Sequence, residues 1–175
     1  MLPLLSIVTL LLSQAPGDGW GMVDSRPREV KRLYWDLFQT TEVWVTLSPV
    51  TADTVAGPRF AFQAFFPGRA VKGKPQRIQM KALAGLVATD LSLRVTIDGK
   101  TTDLTGPDGS SFLLYPPCSE GCSANGVAAD LKPELLRAMV DAAQLGIVAF
   151  GSTFQLSAED RAALGEFAKQ IGLGR

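Results

Sequence analysis

"LSLRVTIDGKTTDL", residues 91 to 104, decides the fold. Leu91, Leu93, Val95 and Ile97 alternate with Ser92, Arg94 and Thr96, the period of two that marks a strand with one buried face. Asp98-Gly99 follows, a pair that tolerates the left-handed backbone of a tight hairpin, and the return strand runs through Thr101 to Leu104. Strands joined in so few residues pair antiparallel, whereas a parallel neighbour needs a long crossover.

The same logic extends outward in both directions. Upstream, "RIQMKAL" (77–83) sets Ile78, Met80 and Ala82 on one side and Gln79 and Lys81 on the other. "RFAFQAFFPG" (59–68) alternates Phe60, Phe62 and Ala64, adds Phe65 and Phe66, and stops at a Pro67-Gly68 turn. "VWVTLSPV" (43–50) is rich in β-branched and aromatic residues and ends at proline. Downstream, Asp108-Gly109 precedes the apolar "SFLLY", and "GVAADL" (126–131) is a further short strand. Pro133 opens a helix, "PELLRAMVDAAQL", with Leu135, Leu136, Met139, Val140 and Ala143 at helical spacing and Gly146 as its stop. "IVAFGSTFQL" (147–156) reads as one strand. "SAEDRAALGEFAKQIG" (157–172) is a second helix, with Ser157 as N-cap, Asp160 at the capping-box position and Gly172 as terminator. Leu164, Phe167, Ala168 and Ile171 form its apolar face. The predicted fold is α+β: mainly an antiparallel β-sandwich with two amphipathic helices in the C-terminal third. Strands and helices do not alternate through the first hundred residues, which argues against a parallel nucleotide-binding sheet.

The chain begins with "MLPLLSIVTLLLSQAPGDG". An apolar run from Leu2 to Leu12 followed by small and polar residues has the length of a secretory signal and falls short of a membrane-spanning helix. Residues 1–16 are expected to be a signal peptide, with retention as an anchor as the alternative. Residues 17–32 are expected to be a basic, flexible lead-in, and 33–175 a single domain. Within the lead-in, Arg26, Arg28, Lys31 and Arg32 outweigh Glu29. This local charge reads as a solvated linker or, alternatively, a patch for a membrane or a partner. The whole chain carries 17 basic and 17 acidic side chains, so no net positive charge drives it toward nucleic acid or an anionic membrane.

The chain contains no histidine, which excludes Ser-His-Asp and Cys-His units and any metal site with a histidine ligand. Ser-Lys and paired-carboxylate chemistry stay open. Asp90, Asp98, Asp103 and Asp108 all sit beside expected turns, where aspartate ordinarily bonds nearby backbone amides. No phosphate-cradling glycine loop and no calcium-loop spacing is present, and no cofactor is expected.

The two cysteines, Cys118 and Cys122, share one turn-rich stretch, "LLYPPCSEGCSANG" (113–126). Fully extended, the five residues would hold their terminal α-carbons about 13 Å apart, whereas a disulfide needs roughly 4.4 to 6.8 Å. Gly121 can supply the reversal. In an exported chain, an even pair so spaced is most simply a disulfide that fixes a turn, contributing about 2 kcal/mol by loop entropy. A redox-active dithiol is the rival reading. Zinc would need two further ligands from another chain.

From Leu91 to Ile171 the sequence resembles the invasion-associated locus B family. The likeness rests on the leucine-rich strand, the "IDG" turn, "CSEGCSA", "LKPELLRAM", "IVAF" and "LSAEDRAALGEFA". It covers the C-terminal half of the chain. It implies an exported bacterial β-sandwich protein, periplasmic or secreted, with a non-enzymatic role and with Cys118 and Cys122 matching the family's cysteine pair.

Three functions compete at this point. The first is binding to a protein, glycan or envelope component, with Tyr34 and Trp35 as candidate contacts near the start of the domain. The second is a thiol-disulfide oxidoreductase or another histidine-free enzyme. The third is an assembly factor of an envelope complex, docked through Arg26, Arg28, Lys31 and Arg32.

Overall fold

A computed structural model describes residues 27–48, 58–83, 90, 92–105, 112–114 and 126–174. Its strands are β1 (Lys31–Trp35), β2 (Thr40–Leu47), β3 (Arg59–Pro67), β4 (Arg77–Leu83), β5 (Leu93–Ile97), β6 (Lys100–Asp103), β7 (Phe112–Leu114), β8 (Gly126–Asp130), β9 (Leu145–Ala149) and β10 (Ser152–Gln155). Its helices, here α1 and α2, span Pro133–Asp141 and Ala158–Gln170. Six strands form one sheet in the order β1-β2-β3-β4-β8-β7, and four form another in the order β10-β9-β5-β6. Every pairing is antiparallel.

Register shows why these strands sort as they do. Val45 lies opposite Phe62, Phe62 opposite Met80, and Met80 opposite Ala129. Directly opposed residues share a face, so Val43, Val45, Leu47, Phe60, Phe62, Phe66, Ile78 and Met80 line one side of the larger sheet and are buried. Against them pack Leu93, Val95, Ile147, Ala149 and Phe154 of the smaller sheet, and Leu164, Phe167 and Ile171 of α2. Two ring contacts connect the layers: Phe60 meets Phe154 at 5.5 Å, and Phe62 meets Phe167 at 6.5 Å. The α+β sandwich expected from the alternation is the observed architecture, with the two helices near the C-terminal end of the described chain.

Local chemistry fixes the ends of elements. Ser157 accepts the Asp160 amide at 3.1 Å while Asp160 accepts the Ser157 amide at 3.3 Å, a reciprocal cap. Gly172 ends α2 with a φ of 76°. The Asp98-Gly99 hairpin turns through φ values of 47° and 85°. Asp90 and Asp103 accept the amides of Ser92 and Thr105, two residues on, each at 2.8 Å, as turn aspartates do, whereas Asp98 accepts the distant Gln144 amide at 2.8 Å and ties its hairpin to the segment before β9. Asp108 lies outside the described residues. Arg161 donates to the carbonyls of Ala142 and Ala143 just past α1, joining the two helices.

The structure corrects three sequence expectations. "IVAFGSTFQL" is two strands: Phe150 and Gly151, with φ values of 53° and 73°, form a two-residue turn between β9 and β10. α1 stops at Asp141, short of the expected stop at Gly146, because Leu145 pairs with Ile97 and the chain has already become extended at Ala142. The ordered sheet starts earlier than residue 33: Lys31 and Arg32 open β1, and the Arg28 amide bonds the Thr46 carbonyl at 2.7 Å.

The second face of the larger sheet also departs from a simple solvated surface. Glu42, Thr46, Gln63, Gln79 and Lys81 lie on it and are buried, together with Trp44 and Phe65.

Candidate partner surface at the first hairpin

β1 and β2 form a hairpin whose four-residue connection, Asp36 to Gln39, folds on itself. Phe38 bonds back to the Trp35 carbonyl at 3.2 Å, and the Gln39 side chain donates to the Asp36 carbonyl at 2.7 Å. Gln39 adopts a φ of 49°, a conformation its side chain helps hold. The Tyr34 hydroxyl donates to the Gln39 side-chain oxygen at 2.7 Å. Arg69, from the neighbouring turn after β3, reaches Asp36 at 2.7 Å and lies 4.5 Å above the Tyr34 ring. The Gly68 amide and carbonyl bond Gln39 and Thr41, which ties this turn to the hairpin.

The hairpin carries an unusual surface. Among the described residues, the large apolar side chains left exposed are Leu33, at 40%, and Leu37, at 77%. Both belong to it. β1 is also an edge of the larger sheet, with β2 as its neighbour among the described strands. A sheet edge offers unpaired backbone donors and acceptors to another chain.

Behind the edge lies a buried polar row. Trp35 donates its indole N–H to Glu42 at 3.1 Å. Burial pushes the Glu42 carboxyl above its ordinary pKa, against the lowering effects of the Trp35 bond and the Lys81 charge. Trp44 lies opposite Gln63. The second Glu42 oxygen, the Trp44 indole nitrogen and the Gln63 amide oxygen are all buried without a partner among the described residues.

Residues singled out from sequence are distributed unevenly. Tyr34 and Trp35 are half-buried on β1, with Tyr34 opposite Thr41 and Trp35 opposite Thr40. Lys31 and Arg32 share that strand; Lys31 lies 3.9 Å from Glu29, and Arg32 is exposed. Arg28 points elsewhere. Its guanidinium bonds the fully buried Asp160 carboxylate at 2.8 Å, and that bond raises its pKa. Arg26, Cys118 and Cys122 lie outside the described residues. Sequence reading missed Leu33, Leu37 and Arg69, because exposure at an edge and reach from a neighbouring turn depend on sheet order. The one available signal was "RLYWDLF" itself, a dense apolar run directly after a basic segment.

Among the described residues, no group of three or more potential ligands could hold a metal ion. No described helix is long and apolar enough to cross a membrane. Comparison with protein families, curated proteins and solved structures finds no match to this chain.

Proposed function

We propose that this chain is an exported, non-catalytic β-sandwich that acts by binding a protein, glycan or envelope component through its first hairpin. The observation that carries the reading is the coincidence of exposed Leu33 and Leu37 with the edge strand bearing Tyr34 and Trp35. Aromatic residues and arginine are enriched at interfaces, and Tyr34, Trp35 and Arg32 share this strand. Export rests on the apolar opening segment, and the non-enzymatic role on the missing imidazole and on the family likeness of the C-terminal half. In an oxidising compartment, Cys118 and Cys122 form a disulfide that fixes a turn.

The test is capture from envelope extracts and on glycan arrays by the full chain and by Leu37→Asp. A partner held by the wild type and lost by the variant supports the reading. Equal capture by both, or none above background, removes it. Recovery of the native protein from the cytosol with both thiols free removes the export component separately.

A further inference from the structure

We propose that the occupant of the β1 edge is β1 of a second copy, paired antiparallel and centred on Leu33, so that two six-stranded sheets become one. The inference rests on reading this hairpin as an interaction surface, and names the partner.

The five residues Lys31-Arg32-Leu33-Tyr34-Trp35 are self-complementary in one register. A two-fold axis through Leu33 places Leu33 opposite Leu33, Arg32 opposite Tyr34 of the second copy, and Lys31 opposite Trp35 of the second copy. Lys31 then faces the Trp35 ring, a favourable pairing, Arg32 faces the Tyr34 ring on which Arg69 also lies, and the exposed leucines cover one another. Faces also match. Lys31, Leu33 and Trp35 lie on the sheet face that carries Trp44 and Glu42, while Arg32 and Tyr34 lie on the other.

Competing symmetric registers are worse. Centring on Arg32 brings two guanidinium groups together, which like-charge repulsion opposes. Centring on Tyr34 shortens the overlap to three strand residues and sets Arg32 against Asp36, which Arg69 already holds at 2.7 Å. Cations on an edge strand ordinarily discourage pairing; here they exclude the wrong registers and leave one. The chain's zero formal net charge adds no long-range repulsion between copies. A single short strand and a turn form a small interface, below about 1,200 Å², so the association is weak and concentration-dependent.

The experiment uses the full chain with its natural cysteines. Leu33→Cys and Leu37→Cys are oxidised mildly, and the linked peptides are identified by mass. Leu33→Cys is expected to form the 33–33 cross-link about tenfold faster or more, because pairing raises the local concentration of the two thiols. Leu37→Cys is the control: it is more exposed, yet lies opposite Glu29 in this register. Sedimentation velocity of the wild type is expected to show a coefficient that rises with concentration, and Leu33→Asp is expected to abolish that rise. Equal cross-linking by the two cysteine variants overturns the proposal, as does a wild-type coefficient independent of concentration. Because Leu33 is exposed, Leu33→Asp is expected to keep the wild-type melting temperature; if it does not, the cysteine comparison decides alone. A wild type that stays monomeric but loses an extract or glycan partner on Leu33→Asp sinks self-pairing and leaves the binding surface standing. Loss of neither sinks both.

Discussion

Arg28 holds a left-handed backbone conformation, φ 69°, that arginine rarely adopts, and what fixes it is a pair of bonds: its amide to Thr46 and its side chain to Asp160. Asp160 is buried, caps α2 and carries the ion pair at once, so its loss removes more than a cap. Ser157→Ala is expected to cost about 1 kcal/mol, the usual value of an N-cap. Asp160→Ala is expected to cost more, though less than the roughly 3 to 5 kcal/mol of breaking a fully buried pair, since Arg28 is part-exposed. Urea midpoints at constant m-value check the order. Glu42 gives a pH signature. Its folded pKa is raised, so its neutral form is the better fit, and stability falls as pH rises from the ordinary carboxylate range through the folded value. Glu42→Gln is expected to flatten that fall and to exceed the wild type in stability at neutral and alkaline pH, with the difference shrinking in acid. Melting temperatures across pH would show it, and parallel curves for the two proteins would refute it.

At the scale of elements, two tight turns make matched demands. Gly99 and Gly151 sit at φ 85° and 73°, and an added methyl group meets only open space at Gly99 and ordinary contact at Gly151. Gly→Ala at either is therefore expected to cost about 1 to 2 kcal/mol from backbone strain alone, by a similar amount in both, measurable by thermal unfolding. Only one of these turns was legible in the sequence. Asp98-Gly99 announces itself because both residues accept the left-handed region, whereas Phe150 at the equivalent place looks like one more strand residue. The α2 cap was fully legible, since its chemistry lies within four consecutive residues. β1 was not: Pro27 and four cations suggested a lead-in, and nothing local shows that Thr46, eighteen residues past Arg28, waits to pair with it. For the candidate site, Tyr34 and Trp35 stood out as aromatics near the domain start, but the exposure of Leu33 and Leu37 depends on the sheet edge and the hairpin tip, which the apolar run "RLYWDLF" does not specify.

Across the whole molecule one apolar cluster runs through both sheets and α2. A core so continuous should melt as a single two-state transition, with calorimetric and van't Hoff enthalpies equal. Phe62, fully buried and in tilted ring contact with Phe167, is expected to cost about 3 to 5 kcal/mol when cut to alanine. Leu37→Asp, at the exposed hairpin tip, is expected to change stability by about 0.5 kcal/mol or less. Chemical denaturation of the two variants side by side separates the scaffold from the surface. The Arg28 contact with Asp160 spans 132 positions along the chain. At synthesis rates of about 5 to 20 residues per second, roughly 7 to 26 seconds separate the appearance of the two partners. Through that interval Phe62 lacks Phe167, its ring partner on α2, which is made later still. The contact that joins the start of the larger sheet to the last helix can therefore form only after most of the domain has been made.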